Sequence, residues 1–103
     1  MKQNHPLSLL GLARKAGRLV LGAAAVEQKL RQGGALLLIA SDASPHTTRR
    51  AGQWAGVTET DLRVIPYTKE QFGRAMGRSE CALALVTDQG FAKKISEMLI
   101  DES

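Results

Sequence analysis

Two unbroken apolar runs constrain this chain more than any other feature. Leu36-Leu37-Leu38-Ile39-Ala40 follows the breaker pair Gly33-Gly34, and Ala82-Leu83-Ala84-Leu85-Val86 is followed by Thr87-Asp88. Each run is too short to be a helix and too apolar to leave either face in water. Such runs predict interior strands buried on both faces. A sheet buried on both faces needs helices above and below it, and the rest of the sequence supplies them.

Pro6 to Ala16 reads as a helix. Proline suits the first helical position, Leu9, Leu12, Ala13 and Ala16 recur at helical spacing, and Gly17 is a natural stop. Arg18 to Leu21 is a short strand, and Gly22 opens a second helix from Ala23 to about Arg31. Ser44-Pro45 starts a third helix toward Ala55, closed by Gly56. Leu62 to Pro66 is a further strand. Thr68-Lys69-Glu70-Gln71 fits a capping box for a helix through Met76, with Gly77 as its stop. Asp88 caps a last helix that buries Phe91, Ile95 and Leu99 and exposes Lys93, Lys94 and Glu97. The order is α-β-α-β-α-β-α-β-α, and alternation of this kind predicts a largely parallel sheet with helices on both faces.

A chain of 103 residues has room for one domain, residues 1–103, and for a single core. Aromatic residues make up only 4%, so Leu, Ala, Val and Ile must build that core. Cys81 is the single cysteine, which excludes an intrachain disulfide and a thiolate metal site. The segment Met1 to Pro6 is polar, and no apolar run approaches the ~18 residues of a membrane span, so the chain reads as soluble and cytoplasmic. The net charge of +4 is unevenly spread. Lys2, Arg14, Lys15, Arg18, Lys29 and Arg31 face only Glu27 in the first 31 residues, while the remainder is nearly balanced. A basic end of this kind suits an anionic partner.

Ligands of open α/β sheets gather beyond the carboxyl ends of the strands. Three strand-to-helix junctions qualify here: Leu21-Gly22-Ala23-Ala24-Ala25, Ala40-Ser41-Asp42-Ala43-Ser44 and Val86-Thr87-Asp88-Gln89-Gly90. Each offers free amides at a helix start, which suits a phosphate. Gly22 with three alanines behind it is either a plain helix cap or a bare end that a bulky backbone can approach. Arg14, Lys15 and Arg18 flank the Gly17 turn and are either phosphate contacts or a solvated helix end. Asp42 and Asp88 are candidate acids or bases, but both stand where helix caps are wanted. His5 and His46 have no sequence partners for a metal site or triad and read as surface residues. Cys81 reads as a small apolar filler, and Trp54 as packing for a helix end rather than a base-stacking platform. No phosphate-loop or dinucleotide pattern is present, so no cofactor and no small-molecule substrate are expected.

Three of these segments carry a resemblance. Gly11-Leu12-Ala13-Arg14-Lys15-Ala16-Gly17-Arg18-Leu19-Val20 with Gly22, then Leu38 to Ser44, then Val86-Thr87-Asp88-Gln89-Gly90-Phe91-Ala92-Lys93-Lys94 resemble the YlxQ-type bacterial proteins. That group lies within the superfamily of archaeal and eukaryotic ribosomal proteins that bind kink-turn RNA. The resemblance implies a three-layer α/β/α sandwich with a four-stranded mixed sheet. It also implies a non-enzymatic partner of structured RNA, either a kink-turn or ribosomal RNA, with the ribosome as one setting.

In that superfamily the start of the second helix grips the kink-turn through glycine, a small residue, asparagine and glutamate, with a lysine three residues further on. Carried over, the pattern falls on Gly22, Ala23, Ala24, Ala25 and Gln28. Alanines stand for the asparagine and glutamate, and glutamine stands for the lysine. Val20 and Leu21 stand where some relatives are basic, and Ser41 replaces an acidic residue before Asp42. The superfamily's second RNA loop maps to Arg78-Ser79-Glu80-Cys81, which is shorter and more polar here. The resemblance thus assigns RNA contact to Gly22, Ala23, Ala24, Ala25, Gln28, Lys29, Asp42 and Arg78, beside the basic Arg14, Lys15 and Arg18. Methyl groups cannot hydrogen-bond a guanine edge, and losing one good base contact costs about 1–3 kcal/mol. Backbone recognition with weakened or altered kink-turn reading is therefore expected. The alternatives are a protein-interaction module that kept the fold and lost the RNA site, and a small enzyme built on Asp42 or Asp88. The second of these lacks any nucleophile–base pair.

Overall fold

The computed structural model describes residues 5–102, so Lys2 and the polar residues before His5 lie outside the described residues. The elements are α1 (Pro6–Lys15), β1 (Leu19–Leu21), α2 (Ala23–Leu30), β2 (Leu36–Ile39), α3 (Pro45–Thr58), β3 (Asp61–Val64), α4 (Lys69–Ala75), β4 (Leu83–Val86) and α5 (Gln89–Glu102). The strands form one sheet in the order β1-β4-β2-β3.

Both apolar runs are interior strands, and alternate residues serve opposite layers. Leu36, Leu38, Ala84 and Val86 join Leu10, Ala13, Phe72, Met76, Ala92, Ile95 and Leu99 from α1, α4 and α5. Leu37, Ile39, Leu83 and Leu85 face Val26, Leu30, Ala51 and Ala55 from α2 and α3. The fold is therefore a three-layer α/β/α sandwich, as the resemblance implied. The period-2 geometry of a strand explains why neither run could tolerate a polar residue.

The largely parallel sheet expected from simple alternation is not what forms. Only β2 and β3 pair in parallel; β4 runs antiparallel to both of its neighbours, β1 and β2. The reason lies in α4. Its seven residues span roughly 10 Å, and the Cys81 amide returns to the Lys69 carbonyl at 2.9 Å. The chain leaves β3 and re-enters the sheet at the same end, so β4 must run backwards. A parallel crossover would have had to carry it to the far end first.

Two further boundaries differ from the sequence reading. α3 does not stop at Gly56 but runs to Thr58, ending where Glu59 takes a left-handed φ of 55°. The Thr60 amide closes that end on the Ala55 carbonyl at 2.9 Å. β3 occupies Asp61–Val64 rather than reaching Pro66. The capping box at Thr68 and Gln71 forms in full, and Asp88 accepts the Phe91 amide at 2.9 Å. Among the described residues, no helix is long and apolar enough to cross a membrane.

Candidate nucleic-acid interface

Because β4 is reversed, the strand-to-helix junctions do not share one end of the sheet. The turns after β1 and β2 lie at one end, together with the loop that precedes β4. The turn after β4 lies at the other. Hydrogen bonds lace the first end together: Gly22 N–H to Leu83 O at 3.0 Å, Ala40 N–H to Ala82 O at 2.9 Å and Ser41 N–H to Tyr67 O at 2.8 Å.

At that end α2 begins without a side-chain cap. Gly22 is its N-cap with φ 93° and ψ 150°, a conformation that favours glycine. Ala23, Ala24 and Ala25 are all exposed, so the first-turn amides meet water or a ligand rather than a capping oxygen. No acidic residue occupies that turn. The Arg78 guanidinium lies beside Gly22, where a Cβ on that glycine would sit 3.6 Å from it. The Arg78 guanidinium makes no hydrogen bond or ion pair within the described residues.

The loop that carries Arg78 is pinned by a residue the sequence reading passed over. Gly73 is buried inside α4, and a Cβ there would stand 2.3 Å from the Glu80 Cα. The only sequence signal was a glycine inside a helical pattern, which marks a close approach as often as a weak point. Arg78 N–H donates to the Gly73 carbonyl at 2.8 Å, closing the same contact.

The residues predicted as one basic cluster divide between two places: Arg14 and Lys15 border one groove beside the end of α4, and Arg18 lies elsewhere. Arg14 turns toward α4 and donates to the Met76 carbonyl, a favourable position for a cation at a helix C-terminus. Lys15 borders a shallow groove with Leu12, Ala75 and Gly77. Arg18 lies at the opposite end of the sheet, where its carbonyl accepts the Thr87 amide at 3.0 Å. Gln28 is exposed on α2, and Lys29 donates to Gln32 at 3.3 Å in the last turn.

Asp42 is a structural cap, though not of the helix it precedes. Ser44 caps α3, accepting the Thr47 amide at 3.1 Å, and Asp42 reaches across to accept the Lys69 amide at 2.7 Å. Asp42→Ala should therefore lower stability by about 1 kcal/mol while leaving RNA affinity within twofold; urea unfolding beside an RNA titration checks both.

Cys81 sits beneath this end. Burial pushes its thiol above the ordinary value of 9.0, against smaller downward pulls from the Leu83 backbone, Arg78 and Arg14. That is an inert thiol rather than a nucleophile. His5 caps α1, its Nδ1 accepting the Leu7 amide at 3.2 Å. Trp54 is half-buried on α3 under the Arg50 guanidinium, 4.7 Å above its ring. Among the described residues no group of three or more His, Cys, Asp or Glu is placed to hold a metal ion.

Comparison with known proteins decides the family. Residues 6–96 match the model of the ribosomal protein L7Ae/L30e/S12e/Gadd45 family. The chain belongs to this family.

Within and around the L7Ae/L30e/S12e/Gadd45 family, the chain is 33% identical over 96 residues to the RNA-binding protein YlxQ of Bacillus subtilis, covering 88% of this chain and 91% of that one. A protein of unknown function from Bacillus halodurans superposes with a TM-score of 0.86 at 30% identity, covering 95% of this chain and 99% of the other. The Giardia lamblia 15.5kD RNA binding protein shares the fold, with a TM-score of 0.73 at 20% identity over 92% of this chain and 82% of that one.

Proposed function

We propose that this chain is a non-enzymatic, cytoplasmic RNA-binding protein, acting as a single unit over residues 1–103. It would hold the bent backbone of a structured RNA, a kink-turn or a segment of ribosomal RNA, at the start of α2. The observation that carries this reading is the bare α2 N-terminus with an uncommitted Arg78 guanidinium beside it. Backbone amides and an arginine fork suit phosphate oxygens. Exposed Ala24 and Ala25 offer no hydrogen bonds to bases, so contact there is with backbone and shape, and kink-turn base reading is weakened. Family membership and the likeness to an RNA-binding YlxQ support the same reading.

The test is a titration of the protein with a kink-turn RNA and a matched unkinked duplex at two salt concentrations. Tighter, salt-sensitive binding to the kink-turn is expected. Arg78→Glu should weaken that binding about tenfold or more and reduce the salt slope by about 1, with no change in melting temperature, since the Arg78 side chain holds nothing in place and its backbone bond to Gly73 is kept. Absence of salt-dependent binding to either RNA would overturn the reading and favour a protein-docking module.

A further inference from the structure

Arg18 and Lys29 lie apart from the α2 N-terminus, and the place they share is not a plain surface. They line a recess of about 400 Å³ with Gly17, Gln32, Gly33 and Thr87, at the end of the sheet opposite Gly22. The three residues of β1 separate Arg18 from Gly22, and the four steps between them span roughly 13 Å along an extended chain. No acidic residue lines the recess.

The two cations differ in what the fold asks of them. Lys29 stands in the last turn of α2, where it complements the helix dipole and donates to Gln32. Arg18 has no such duty. Its backbone is fixed on both sides, the amide on the Ala13 carbonyl at 2.8 Å and the carbonyl on the Thr87 amide at 3.0 Å. Its guanidinium makes no hydrogen bond or ion pair within the described residues. A rigidly based, uncommitted arginine therefore shares a concave site with a lysine, and no carboxylate lining the site neutralises either. The α2 carbonyl end lies close by and works against an anion, so one cation alone would be a poor site. Two of them, in a recess that Thr87 and Gln32 also line, offset it.

We propose that this recess is a second phosphate-binding site, taking an RNA backbone segment that flanks the one held at α2. It takes RNA as its partner from the reading above, and it adds a separate point of contact. Strand β1 is an edge of the sheet, and both sites border it, so one RNA can run along that edge and touch both. Arginine supplies a planar fork and lysine a point charge, a pairing that suits a phosphodiester.

The experiment is an amide chemical-shift titration of the whole 15N-labelled chain, which reports the two ends separately. A kink-turn RNA should shift the amides of residues 22–26 and 77–80. A short unkinked RNA duplex should shift Gly17, Arg18, Lys29, Gln32, Gly33 and Thr87, and should still do so with the α2 end occupied. The double variant Arg18→Glu with Lys29→Glu should lose the second set and keep the first, with a duplex salt slope smaller by about 2. The dispersion of its spectrum shows that it remains folded. Retention of the second set in that variant, or duplex shifts confined to the α2 end, would overturn the proposal. So would second-set shifts that inorganic phosphate reproduces in full at equal phosphate concentration, because the site would then take a small anion and not RNA. Loss of the kink-turn set alone would overturn the α2 reading and leave the second site standing.

Discussion

Gly73→Ala should destabilise the protein by about 2 kcal/mol, although alanine is the better helix former. The added methyl would stand 2.3 Å from the Glu80 Cα, 2.6 Å from its carbonyl carbon and 2.7 Å from its nitrogen. All three are backbone atoms, so no side-chain rotation can relieve the contact. Overpacking of this kind costs up to about 3 kcal/mol, of which helix propensity returns about 1. For a chain of this size about 2 kcal/mol lowers the melting temperature by roughly 8–16 °C. The control is Gly52→Ala in α3, where nothing lies within 4 Å of the new methyl; it should stabilise by about 0.5–1 kcal/mol. A Gly73→Ala protein as stable as the control would mean that the loop at residues 78–80 is not held against α4. RNA affinity should fall along with stability, because displacing Glu80 carries Arg78 away from Gly22.

Gly73 also marks where sequence reading stops. The two apolar runs could be placed as doubly buried strands because strand periodicity leaves no other way to hide Leu36 to Ala40 or Leu83 to Val86. Caps at Ser44, Thr68 and Asp88 were equally legible, since each depends on atoms within three residues. The direction of β4 was not. It follows from a seven-residue helix folding back so that Cys81 meets Lys69, a contact with no local signature. The mixed sheet was anticipated only through the resemblance, while alternation alone pointed the other way. Gly56 misled for a related reason: glycine permits a helix to end but does not force it, and the left-handed turn falls at Glu59.

The candidate site divides along the same line. Gly22 and the alanines were readable as a bare helix start because capping is local chemistry. The basic residues were not readable as a surface. Arg14, Lys15 and Arg18 lie within five positions of one another, yet the turn at Gly17 parts Arg18 from the other two. Arg14 serves the end of α4, Lys15 borders the groove beside it, and Arg18 faces Lys29 across the sheet's far end. Arg78, distant in sequence, is the cation that reaches Gly22. Asp42 was expected beside its own helix but caps the start of α4 instead.

The largest change in function is expected from the triple variant Ala24→Asn, Ala25→Glu, Gln28→Lys, which restores the superfamily's base-reading pattern on an unaltered backbone. Positions 24, 25 and 28 are exposed, so longer side chains displace only water. A glutamate in the first turn also complements the helix dipole, which offsets the small propensity cost of asparagine, and stability should stay nearly constant. Each restored base contact is worth about 1–3 kcal/mol. Two of them predict kink-turn binding tighter by a factor between about thirty and about twenty thousand. Affinity for an unkinked duplex should change far less, since only the lysine adds a phosphate contact. A gel-shift titration of both proteins against both RNAs measures the difference. If the gain is confined to the kink-turn, the α2 start is the RNA-reading end and the alanines are what weaken its base readout. An equal, modest gain on both RNAs would trace the effect to the lysine charge and place sequence reading elsewhere on the molecule. No gain on either would mean that RNA does not approach this helix end, and the exposed alanines would then be the surface on which to seek a protein partner.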